Sequence, residues 1–147
     1  MTPEALRLLE RVHGHVAWLA VAALVHPAIV LRRPRRRARL AASLATALTT
    51  VTFGLGAVIY DPYSRRLRRP IYLASRTMGL LFERKEHLAV TAVALAWAGL
   101  ALHLSRGDDP TADARARAAH LAYVAAALIA GTVAVLGTRI AAFLSFS

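Results

Sequence analysis

A chain of 147 residues, 57% of them hydrophobic, with a mean hydropathy of +0.47 and its apolar residues in long blocks, has the composition of an integral membrane protein. It has no cysteine, which excludes disulfides, thiolate-ligated zinc, iron–sulfur clusters and thioether-attached haem. The net charge of +11 comes from 18 Arg and 1 Lys against 8 acidic residues. Those Arg residues sit between apolar blocks, which marks them as membrane-flanking charge and excludes a nucleic-acid surface.

Met1–Arg11 is a short amphipathic lead, and Thr2-Pro3-Glu4 has the form of a helix start. Val12–Leu31 is the first span, too long and too mixed in flanking charge for a cleavable signal. "RRPRRRAR" follows, with six Arg in eight residues, and Pro34 makes it a tight break. Leu40–Tyr60 is the second span; its small and hydroxylated residues, "SLATALTTVTFGLGA", suit close helix packing. Asp61–Glu86 opens with the turn and basic cluster "DPYSRRLRRP". It continues as "IYLASRTMGLLF", too short to span and apolar on one side, which predicts an interfacial or re-entrant helix. His87–Leu104 is the third span, "SRGDDPTADARAR" a polar loop, and Ala118–Ser145 the fourth span, with its own packing stretch "GTVAVLGT".

Each block supplies roughly the 20 helical residues that a hydrocarbon core of ~30 Å requires, and none alternates as a strand would. The expected architecture is an all-α integral membrane protein of one domain, residues 1–147. Its four transmembrane helices would form an up-down-up-down bundle, with an interfacial helix between the second and third. The Arg-over-Lys bias, with abundant Ala, points to a GC-rich bacterial genome and so to the bacterial inner membrane. Ten basic residues flank the spans on one side and nine on the other, nearly balanced. The density of "RRPRRRAR" puts that loop on the cytoplasmic side.

All six histidines lie in the spans or within a turn of their ends. Threaded through the bundle they form two layers. His13, His15 and His87 share one membrane surface with Glu83, Glu86 and Asp61, while His26, His103 and His120 share the other. Helical phase puts His15 and His26 on one face of the first span and His13 on roughly the opposite face. Glu83 and His87, four apart, share a face of the third span, and His103 is about 160° round from His87. Ionisable groups in spans usually face the interior or a pathway.

Three chemistries follow. In the first, b-type haem is held by two imidazoles on facing helices, His15 with His87 and His26 with His120 or His103, with His13 a further candidate. Arg76, Arg84 and "RRLRR" on one side, and Arg32 or Arg117 on the other, would meet the propionates, and Gly14 and Gly131 would leave room for the macrocycle. This is the leading expectation: an electron-transfer protein or subunit in a larger membrane redox complex, rather than a stand-alone enzyme. In the second, Glu83, Glu86, His87 and Asp61, with His13 or His15, hold a zinc or iron ion. The acidic–histidine cluster does not recur on another helix, so a di-iron site is not expected. In the third, the chain is a structural or accessory subunit, and Glu83 and Glu86 pair with Arg65, Arg66 or Arg68. Quinone contact near His26, or near His120 with Tyr123, has no specific motif behind it. No phosphate-binding loop, His-Glu-x-x-His pair, nucleophile elbow or inverted repeat is present.

Overall fold

The computed structural model describes residues 2–33, 38–105 and 110–145. Those residues form four helices: α1, Pro3–Val30; α2, Arg39–Ala74; α3, Arg76–Leu104; and α4, Ala112–Ser145. All four are long and apolar enough to cross a membrane. α1 packs on α2 and α4, and α3 packs on the same two, so the helices form a ring in chain order. Residues 34–37 of the "RRPRRRAR" loop and residues 106–109, including Arg106, lie outside the described residues.

Local chemistry sets the helix ends. Thr2 caps α1 by accepting the Ala5 N–H at 3.2 Å, and Pro3 follows in the first turn, where its missing N–H costs nothing. α2 and α3 are separated by one residue. Ser75 is extended (φ −159, ψ 113), donates its N–H to the Ile71 carbonyl, and its hydroxyl accepts the Met78 N–H at 3.4 Å. It therefore ends one helix and caps the next. The fold back is tight enough that the Tyr72 ring lies over Gly79, where any Cβ would come within 2.6 Å of the ring.

The expected interfacial helix is not a separate element. Asp61–Ala74 continue α2, and α3 begins at Arg76. The one-sided apolar pattern of this stretch is used within the protein: Ile71 and Phe82 are buried with Ile140 of α4, and Tyr63, Leu67 and Met78 pack around them. At 1.5 Å per residue, the 36 residues of α2 span about 54 Å, well beyond a hydrocarbon core of ~30 Å.

The other end of the bundle is solid. Its core joins Leu24 and Ala28 of α1 and the capping residue Leu31 to Ala42 and Ala45 of α2, Ala96 and Leu100 of α3, and Ala119, Tyr123 and Ala126 of α4. Alanine at these contacts lets backbones approach closely, the packing mode available where lipid removes the hydrophobic drive. Tyr123, fully buried, crosses this core. Its hydroxyl contacts Thr46 Oγ1 at 2.9 Å and donates to the Ala42 carbonyl at 3.1 Å, while Thr46 Oγ1 donates to the Ala96 carbonyl at 3.3 Å. Two hydroxyl protons thus serve three contacts and tie α4, α2 and α3 together.

Candidate functional site: a cavity between the four helices

Beyond the alanine core the bundle is hollow. A cavity of about 670 Å³ lies between the helices, and all four line it. Its α1 wall runs from Glu10 to Ala20, a depth of about 15 Å at 1.5 Å per residue. The space extends to Gly14 and Gly137, both lining residues, where an added Cβ would meet nothing within 4 Å.

The walls are graded. Ala20, Ala92, Val93 and Ala130 line the end next to the alanine core, while Glu10, Tyr60, Tyr63, Lys85 and Glu86 gather at the opposite end, its mouth, where Tyr60 is exposed. Tyr60 and Tyr63 stack on Phe82, with centroids 6.4 and 5.8 Å apart, and the Lys85 ammonium sits 5.0 Å over the same ring while pairing with Glu86. Partway down, Thr49 and Thr52 donate their hydroxyls to Ala45 and Leu48 of their own helix. They therefore offer the cavity acceptor lone pairs.

His13 lines this cavity. Its ring lies against Gly56 of α2, where a Cβ would stand 3.1 Å from Cε1, and against the Thr52 carbonyl. Its buried Nδ1 has no hydrogen-bond partner among the described residues.

The remaining histidines are placed differently. His15 and His26 share a face of α1 as their spacing requires, but that face is exposed, and His15 Nδ1–H donates to the Arg11 carbonyl at 2.7 Å. His87 is also exposed and donates from Nδ1–H to the Glu83 carbonyl at 3.2 Å. His103, on the other side of α3, is buried, and its Nε2 accepts the Ala38 N–H at 3.4 Å, satisfying the backbone where α2 begins. His120 does the same for the end of α1. The Arg32 N–H bonds to Ile29 instead of Ala28, and His120 Nδ1–H donates to the Ala28 carbonyl at 2.8 Å. His103 and His120 thus both secure the α1–α2 end of the bundle.

The three acidic residues considered for a metal are in ion pairs. Asp61 pairs with Arg65 one turn on at 2.8 Å, Glu83 with Arg68 across the α2–α3 hairpin, and Glu86 with Lys85. Of the four residues considered for a metal, only Glu86 lines the cavity. Among the described residues no three His, Cys, Asp or Glu side chains are grouped to hold a metal ion.

Sequence reasoning did not single out Glu10, Tyr60, Tyr63 or Lys85. The pattern that could have found the α2 wall is Thr49, Thr52, Gly56, Tyr60 and Tyr63, a stripe spaced by threes and fours. These features define a four-helix protein of membrane-spanning character with an internal amphipathic cavity. No family model, curated protein or solved structure matches the chain.

Proposed function

We propose that the chain is a binding protein of the bacterial inner membrane that holds an amphipathic molecule between its four helices, which run up-down-up-down. The carrying observation is the cavity itself, with apolar walls and its ionisable groups at one end. The bilayer position follows from counting. If Arg39 and His103 stand at one membrane surface, ~20 residues of helix bring the other surface to Tyr60 on α2 and near Glu83 on α3. The cavity mouth then opens at headgroup level, and its apolar depth reaches the middle of the bilayer. The end of α2 and the start of α3 project beyond as a basic hairpin. A ligand with a polar head and an apolar body matches that gradient.

A second reading is favoured by one observation, the unpartnered Nδ1 of His13. In it the molecule is a b-type haem ligated by His13 after a turn of the ring, and the protein is an electron-transfer subunit of a membrane redox complex. The haem, when bound, would supply one-electron chemistry. This reading moves the ligand from His15 and His87, which lie outside the cavity lining, to His13 within it.

The test is to purify the chain in mild detergent, record oxidised and dithionite-reduced absorption spectra, and extract it with organic solvent for mass spectrometry. About one amphiphile per chain, absent from a Gly137→Leu variant, supports the binding reading. A Soret band lost in His13→Ala assigns haem. A chain that retains nothing, and whose Trp18 fluorescence no brominated amphiphile quenches saturably, overturns both.

A further inference from the structure

We propose that the ligand is an anionic amphiphile, a carboxylate or phosphate on an apolar body, whose head is held by Lys85 at the mouth of the cavity. This rests on the cavity reading above and adds the sign of the charge.

Lys85 is the only lysine in the chain and, among the described residues, the only Lys or Arg lining the cavity. Its side chain is 20% exposed, held over the Phe82 ring and paired with Glu86. An ammonium carries three N–H donors and Glu86 engages one, so an incoming head can join without expelling the carboxylate. Lys85, Glu86 and His13 all line the cavity, which places the pair on its polar wall and not outside it.

The mouth also holds two carboxylates, so a cationic ligand is the alternative to be weighed. Glu86 is paired with Lys85, and Glu10, which makes no ion pair among the described residues, lies within the positive field of Arg66 and Arg7. On the adjoining hairpin Asp61 has Arg65 and Glu83 has Arg68. The surplus is therefore positive. Residues 61–86 carry seven basic groups against three acidic ones, and Arg69, Arg76 and Arg84 are exposed with no acidic partner among the described residues. A field of that sign draws anions to the mouth and repels hydrophobic cations. At the head itself, a compact ammonium recognises carboxylate and phosphate alike as a point charge.

Trp18 lines the cavity and Trp97 does not. Trp97 is exposed on α3, its indole N–H donating to Thr50 at 3.1 Å. A Trp97→Phe background therefore reports on Trp18 alone, and a Trp18→Phe background controls for simple partition into the detergent. The probes are dibromostearate, a dibrominated alkylphosphate and a dibrominated alkyltrimethylammonium of the same chain length. The expected result is saturable quenching of Trp18 by both anions, about tenfold tighter than by the cation. Lys85→Gln should weaken the anions about tenfold, as loss of one charge-assisted hydrogen bond implies, and leave the cation unchanged. Lys85→Arg, which keeps the charge, should retain binding and guards against misreading a folding defect. Tighter binding of one anion assigns its head as the preferred one. If the cation binds as tightly as the anions, or Lys85→Gln changes nothing, the anionic assignment falls while the cavity reading stands. If no probe quenches saturably, the cavity reading falls and takes this one with it.

Discussion

The same substitution, glycine to alanine, should have opposite effects at the two ends of this bundle. Glycine in a helix interior is less stable than alanine by about 1 kcal/mol. At Gly137 on α4 a new Cβ meets nothing within 4 Å, so Gly137→Ala should recover about 0.5–1 kcal/mol. At Gly99 on α3 the new Cβ would stand 3.0 Å from Cδ2 and Cε2 of Tyr123 and 3.4 Å from the Ala119 carbonyl oxygen. Neither neighbour can give way easily. One is backbone, and the other is a fully buried ring whose hydroxyl is anchored to α2. Overpacking of that kind costs about 1–3 kcal/mol and should outweigh the propensity gain. Thermal unfolding of both variants in one detergent, followed by helical ellipticity, compares the signs directly. Gly137→Ala should melt above the parent and Gly99→Ala below it. If both variants destabilise alike, the helices close at the α4 C-terminal end in solution and there is no cavity for a ligand. Gly137→Leu extends the test, since it should keep the stability of the alanine variant while occupying the space.

Tyr123→Phe should cost about 0.6–1.7 kcal/mol, the range for interhelical hydrogen bonds in membrane bundles, and a double-mutant cycle with Thr46→Val should show coupling of that order. A cycle with no coupling would detach the hydroxyl pair from helix association. His120→Ala should lower stability by about 1 kcal/mol in the same melting assay through loss of the α1 carbonyl cap. Gly79→Ala should destabilise more than either, because Tyr72 lies 2.6 Å from the new Cβ and the one-residue turn at Ser75 limits retreat; an unchanged melting temperature would show that the ring swings out freely. If haem is bound, His13→Ala should remove the Soret band while His15→Ala and His87→Ala leave it intact, and the reverse pattern would return the ligands to the outer surface.

That the chain forms four helices long and apolar enough to cross a membrane was legible in the sequence, because it follows from a single quantity, the length of each apolar block. The long connection was harder. "IYLASRTMGLLF" is apolar on one side whether that side meets lipid or Ile140 of α4, and nothing local separates the two. The decision lies with Ser75, which allows α2 and α3 to be continuous on either side of a one-residue break. The histidines show the same limit. Spacing relates His15 to His26 and His87 to His103 around their own helices, since phase along a helix is set by the sequence. Which face turns inward depends on the neighbouring helices, and here the shared face of His15 and His26 points out.

The segment "FERKEH" concentrates that lesson. Five ionisable residues in a row invite a single site, yet at about 100° per residue they are spread around the whole helix. Glu83 reaches across to Arg68, Lys85 and Glu86 turn to the cavity mouth, and Arg84 and His87 remain exposed. A ligand set drawn from all five positions on this one helix would have to reverse this geometry, whereas a set drawn from separate helices does not. Glu10 and His13 of α1, Tyr60 and Tyr63 of α2, and the adjacent Lys85 and Glu86 of α3 line one end of the same cavity. The chemistry of such a bundle is therefore to be sought in a few inward residues from each of several helices, at the depth where the apolar wall gives way to charge.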